Sequence, residues 1–159
     1  MTDTVTETAK PPVEAKGPHP KFNHVAMSVP ADLLDAEGRK QILEFYGDVF
    51  GWQELPTETV DRKKLVMSAY TFDQFVFLIA DEPHMTGPRM DHFGMQVDSI
   101  EELDEMLERA RAYKAKDDRV DVIDKSAENH GPLTITSFYV GYLLPMMVEV
   151  QHFQIHDHE

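Results

Sequence analysis

The chain has 159 residues and a hydrophobic content of 42%, enough for one domain with an ordinary packed core or one domain built from two small halves. Its 29 acidic residues against 15 Lys and Arg give a net charge of −14, a surface that repels phosphate backbones and anionic headgroups and so excludes nucleic acid and membranes as expected partners. No apolar run approaches the ~20 residues that span a bilayer. The N-terminus has no apolar signal core, and the absence of cysteine rules out disulfides, zinc–thiolate sites and a thiol nucleophile. A cytoplasmic location is therefore expected.

Residues 1–20, rich in Thr, Glu, Lys and Pro, bury too little apolar surface to offset their ordering entropy and are expected to form a flexible tail. A single domain is expected over 21–155, with one module at 21–86 and another at 88–153. Alternation from Phe22 to Val29 predicts a strand. Ile42, Tyr46, Val49 and Phe50 recur at helical spacing, and Gly51 supplies the stop. Strands are predicted around Trp52–Leu55, Leu65–Tyr70 and Phe75–Ala80, before a Pro/Gly connector from Glu82 to Arg89.

The second half repeats this order. Asp91 to Val97 predicts a strand, Ser99 and Glu102 form a capping-box pattern, and Leu103, Met106, Leu107, Ala110 and Tyr113 mark one helical face. Strands follow at Val120–Ile123, Leu133–Val140 and Met146–Phe153. The halves also agree residue by residue, since His24-Val-Ala-Met-Ser-Val29 matches His92-Phe-Gly-Met-Gln-Val97 in His, Met and Val. The fold class expected is α+β, an internal duplication of a βαβββ unit whose two copies form a cupped mixed sheet.

Side chains alternate along a strand, so His24 shares a face with Ala26 and Ser28, and His92 with Gly94 and Gln96. Both imidazoles therefore lie on the less apolar face of equivalent strands, with small residues leaving space beside them. If the halves pack with pseudo-twofold symmetry, the two rings can converge. Glu149 lies within an otherwise apolar terminal strand, and burying its carboxylate is costly unless a cation compensates it. Two imidazoles and a carboxylate on one side of a metal form the facial triad suited to Fe(II), with open positions for substrate and oxygen. His24, His92 and Glu149 are thus the candidate ligands of a divalent metal. Each has a plainer reading as a hydrogen-bonded core histidine or a solvent-facing glutamate.

At these residues the chain resembles the vicinal oxygen chelate superfamily, which includes glyoxalase I, fosfomycin- and bleomycin-resistance proteins and extradiol dioxygenases. The likeness covers roughly residues 21–153 and rests on Asn-His24-Val-Ala-Met, Glu-Phe-Tyr-Gly-Asp-Val-Phe-Gly-Trp, Asp-His92-Phe-Gly-Met-Gln-Val and Val-Glu149-Val. It implies paired βαβββ modules, a small-molecule substrate and, since family members often pair, a homodimer. The stretch from His130 through Ser-Phe-Tyr139 to Val-Glu149 is similar to the closing segment of type I extradiol dioxygenases. That similarity implies Fe(II), with Mn, Ni, Zn or Co as alternative ions, and O₂ as co-substrate. It makes Glu149, His24 and His92 ligands, gives Tyr139 the task of orienting a deprotonated substrate hydroxyl, and sets His130 near the reacting oxygens.

The chain departs from that pattern in Phe75-Val-Phe-Leu-Ile-Ala80, which offers no titratable side chain where those dioxygenases carry a proton-transferring His. Glyoxalase-type isomerases place a fourth ligand, Glu or Gln, on the same strand. An ungapped overlay of the halves sets Asp81 opposite Glu149, at the strand's end, where capping or solvent exposure is expected. The leading expectation is an Fe(II)-dependent extradiol-type dioxygenase acting on a small phenolic or oxygen-chelating substrate. The alternatives are a metal-free, bleomycin-resistance-like sequestering protein and a metal-dependent isomerase, epimerase or lyase. His19, His84, His152, His156 and His158 are expected to be exposed, and Phe50 and Trp52 to serve the core.

Overall fold

A computed structural model describes Pro18 and residues 20–156. The expected tail therefore falls largely, and His19 and His158 wholly, outside the described residues. Strand β1 (His24–Val29) leads through a 3-10 turn (Ala31–Leu34) into helix α1 (Ala36–Phe50), followed by β2 (Gln53–Glu54), β3 (Lys64–Ser68) and β4 (Phe75–Ala80). The order recurs with β5 (His92–Val97), α2 (Ile100–Lys114), β6 (Asp121–Asn129), β7 (Leu133–Gly141) and β8 (Met147–Ile155). Each half forms a four-stranded mixed sheet, in the order β1-β4-β3-β2 and β5-β8-β7-β6. In both, the first strand runs parallel to the last and lies at the sheet edge.

Local chemistry sets the helix ends. Asp35 Oδ1 accepts from Gly38 N at 2.8 Å and caps α1. Gly51, at φ 74°, closes it in the left-handed conformation that glycine adopts without a Cβ penalty. The predicted capping box opens α2: Ser99 Oγ accepts from Glu102 N, and Glu102 Oε2 accepts from Ser99 N, both at 3.2 Å.

One core serves both halves. Met27, Val29, Leu65, Met67, Val76 and Leu78 of the first sheet join Val97, Phe138, Val140, Val148 and Val150 of the second around Phe45, Tyr46, Leu103 and Leu107 of the helices. Tyr46 donates its hydroxyl to the Tyr142 carbonyl at 2.8 Å, and Trp52 stacks on Tyr46 and faces Phe93. The Tyr142 hydroxyl in turn donates to Asp117 at 2.8 Å. Arg119 holds the Asp117 carboxyl well below its usual pKa, while burial and Asp117 push the Tyr142 hydroxyl up. No helix among the described residues is long and apolar enough to cross a membrane.

The strand register corrects the overlay of the halves. His24 is level with Phe75 and Ala26 with Phe77, whereas His92 is level with Met147 and Gly94 with Glu149. The counterpart of Glu149 is therefore Phe77, not Asp81. Asp81 lies exposed beyond β4, its carboxylate accepting from Glu82 N at 2.8 Å. Of the histidines expected in solvent, His156 is exposed, whereas His84 and His152 are half-buried.

Candidate metal centre

Alternation puts the core residues on one face of each sheet, so His24, His92 and Glu149 occupy the opposite faces. Glu149 is 6% exposed and is the one charged side chain buried among the described residues. Its Oε2 stands 3.3 Å from Nε2 of His92. Tyr139 lies directly across β7/β8 from Glu149 and sets its ring edge-on to His92, with centroids 5.0 Å apart. Burial raises the Tyr139 hydroxyl's pKa, the neighbouring Glu149 raises it further, and Ser137 partly offsets both.

The tautomer of His92 follows from its other nitrogen. Nδ1 is 2.6 Å from the Met90 carbonyl, which only accepts, so Nδ1 carries the proton. In the neutral ring Nε2 then points a lone pair at a buried carboxylate. Two acceptors at 3.3 Å are satisfied only by a proton or a cation between them. Donors bound about 2.0–2.2 Å from one ion at right or tetrahedral angles stand roughly 3.0–3.4 Å apart, so the spacing suits a shared metal.

His24 is prepared in the same way. Its Nδ1 is 2.7 Å from Asn23 Oδ1, and its ring stacks flat on Phe75 with centroids 4.8 Å apart, leaving Nε2 free. Fixing one nitrogen of a histidine to present the other is the usual support of a metal ligand. His24 borders a cleft of about 270 Å³ lined also by Phe22, Tyr70, Phe75, Phe93 and Gln74.

The chain brings together His92, Glu149 and Tyr139, and it does not bring His24 to them. Among the described residues no three His, Asp or Glu side chains converge within reach of one ion. His130 lies exposed at the β6–β7 hairpin, where its imidazole meets Glu128 at 3.4 Å rather than the His92–Glu149 pair. Nothing in the sequence marks the Met90 carbonyl. Ser137 and Gln151 share the face of Tyr139 and Glu149 and are reachable from the sequence only by counting two residues from each. A Cβ on Gly94 would stand 3.7 Å from Gln151 Oε1 and 3.9 Å from Glu149 Oε2, so this glycine keeps the floor beside the pair open.

The fold has solved relatives. Lactoylglutathione lyase from Agrobacterium tumefaciens is 20% identical with TM-score 0.58, over 86% of this chain and 96% of that one. A glyoxalase/bleomycin resistance protein/dioxygenase from Alicyclobacillus acidocaldarius is 13% identical with TM-score 0.59, over 84% and 91%. A mutant of the fosfomycin resistance protein FosX from Listeria monocytogenes, complexed with Mn(II) and 1S,2S-dihydroxypropylphosphonic acid, is 14% identical with TM-score 0.55, over 84% and 91%. No curated protein matches the chain. The family model matches residues 21–121, and with it the two βαβββ halves of this chain take their place: the protein belongs to the Glyoxalase/Bleomycin resistance protein/Dioxygenase superfamily.

Proposed function

We propose that the protein is a metal-dependent enzyme of the extradiol type, using Fe(II) and O₂ on a small phenolic substrate, with Mn, Ni, Zn and Co as alternative ions. The observation that carries this reading is the buried Glu149 carboxylate facing Nε2 of His92 at 3.3 Å, with the other ring nitrogen held by the Met90 carbonyl, a spacing that suits two ligands of one ion. His92, Glu149 and His24 would hold the ion. When bound, it supplies the Lewis acidity that lowers the pKa of a chelated hydroxyl and a position for oxygen. Tyr139 orients the ionising hydroxyl, since its ring is fixed against His92 and its own proton is held by burial and Glu149. Phe77, at the register position of Glu149, leaves the first half without a fourth ligand there, which favours an open three-ligand site over a glyoxalase-type one.

His24 reaches that site in a second copy of the chain. Both site faces point away from the shared core, and β1 and β5 are both sheet edges. A twofold pair brings His24 of one copy to His92 and Glu149 of the other, and does so twice, because such an interface uses the same patches on both copies. Exposed Phe22, Tyr70 and Phe72 at this end of the first sheet are apolar surface for such a contact to cover.

The test is metal analysis of anaerobically purified protein, followed by oxygen uptake with Fe(II) and a catechol panel. The wild type is expected to bind Fe(II) stoichiometrically and consume oxygen, with Glu149→Ala and His92→Ala each weakening metal binding by more than ~100-fold. Protein that binds catechols equally well without metal, and whose Glu149→Ala variant does the same, is instead a sequestering protein. Metal binding without oxygen uptake, but with proton or bond rearrangement of an added substrate, assigns it to the lyases or isomerases.

A further inference from the structure

The paired strands β7 and β8 carry their site-facing residues in ordered rows. Tyr139 pairs with Glu149, Ser137 with Gln151, Ile135 with Phe153, and Leu133 with Ile155. From the metal pair outward the face therefore passes through one neutral hydrogen-bonding row into two apolar rows. At about 3.3 Å per residue, the Ile135–Phe153 row lies roughly 13 Å beyond Glu149. Phe153 and Ile155 are 38% and 44% exposed, two large apolar side chains left open side by side on one face of a paired strand. The row is continuous with the site, with no charged side chain between Glu149 and Phe153 on that face of β8.

Charge narrows the choice further. On the face that bears His24 and the face that bears His92, the one basic strand residue is Lys64, which pairs with Glu58 at 3.5 Å. Arg89, just before β5, is committed to Asp121 through two hydrogen bonds of 2.7 Å. A phosphonate like that bound by the FosX mutant, or a carboxylate, finds no free cation among these residues, and Glu149 and Glu128 repel it.

We propose that the substrate is a chelating diol or phenol whose far end is an uncharged aromatic or alkyl tail, laid along Ser137/Gln151 onto Ile135 and Phe153. This rests on the metal reading for the head and on the row order for the tail. Ser137 and Gln151 satisfy a neutral polar group at the junction, and the absence of a free cation selects against anionic tails.

Calorimetric titration of the Fe(II)-loaded protein without oxygen, and of the metal-free protein, tests this with catechol, 4-hexylcatechol and 3,4-dihydroxybenzoate. The expected result is 4-hexylcatechol bound at least about tenfold more tightly than catechol, and 3,4-dihydroxybenzoate more weakly than catechol. In Phe153→Asp the hexyl advantage falls to within about twofold, with the Fe(II) affinity of the variant unchanged. In Gln151→Arg the carboxylated ligand gains at least about tenfold. Equal binding of hexyl and plain catechol, tightest binding of the carboxylated ligand, or no binding of any of the three overturns the inference. So does a Phe153→Asp variant that alters sedimentation but keeps the hexyl preference, since the apolar rows then cover a second copy. Failure to bind metal with the hexyl preference intact overturns the metal reading alone.

Discussion

At the scale of single residues, Glu149 decides how the site is understood. A carboxylate on an apolar strand costs several kcal/mol to bury unless it is matched, and what faces Glu149 is Nε2 of an imidazole whose Nδ1 donates to the Met90 carbonyl. The same logic ranks the two residues that the resemblance assigns to chemistry. Tyr139 touches both His92 and the register position of Glu149, whereas His130 engages Glu128 at the hairpin. Tyr139→Phe is therefore expected to lower kcat by ~10², with metal affinity changed less than about threefold. His130→Ala should cost less than about tenfold in kcat. Steady-state kinetics with a metal titration on each variant measures both, and a larger loss for His130→Ala than for Tyr139→Phe reverses the assignment. His92 and Glu149 are legible in the sequence because strand alternation and the cost of a buried charge are properties of the residues themselves. The Met90 carbonyl is not, because a backbone acceptor carries no signature in the residue type.

At the scale of elements, periodicity reveals the helices and the strands with one apolar face, but not the polar edge. Strand β6 continues through Asp124-Lys-Ser-Ala-Glu-Asn129 beyond the expected end at Ile123, because an exposed edge strand has no core to impose apolar alternation. The 3-10 turn Ala31–Leu34 also lacks a periodic signal, although Leu34 is fully buried. The misplaced Asp81 has a related cause. The longer β6–β7 hairpin adds length to the second half, so an overlay anchored on the two histidines drifts by four residues before it reaches the last strand. Two glycines at α1 separate backbone strain from steric contact. A Cβ at Gly38 would collide with the Leu33 carbonyl of the 3-10 turn, whereas one at Gly51 would meet nothing within 4 Å and would suffer only from φ 74°. Gly51→Ala is expected to cost about 1 kcal/mol of unfolding free energy, and Gly38→Ala about 2 kcal/mol or more, because backbone must move. Urea denaturation of both variants checks the order, and an equal or milder loss at Gly38 contradicts the close approach of turn and helix.

At the scale of the whole molecule, the apolar faces of both sheets and both helices close one core, so His24 stands on the non-core face of one sheet and His92 and Glu149 on the non-core face of the other, and among the described residues no three ligating side chains converge. This is the part least visible in the sequence: a repeat shows that two equivalent histidines exist, but not whether they belong to one chain's site or to two. The proposed twofold pair makes a specific numerical forecast. His24→Ala and Glu149→Ala homodimers each lack an intact site. In a mixed dimer, the His24→Ala chain supplies His92 and Glu149 while the Glu149→Ala chain supplies His24, so one site is whole and the other lacks both groups. Random pairing at equal amounts makes about half the dimers mixed, and so restores about a quarter of wild-type metal sites and oxygen uptake. Co-refolding the two variants, with differently tagged chains to count mixed dimers, measures this. Mixed dimers without recovered sites would mean that the ligand set lies within one chain, and that the separation of His24 from His92 has to be closed by motion inside the chain instead.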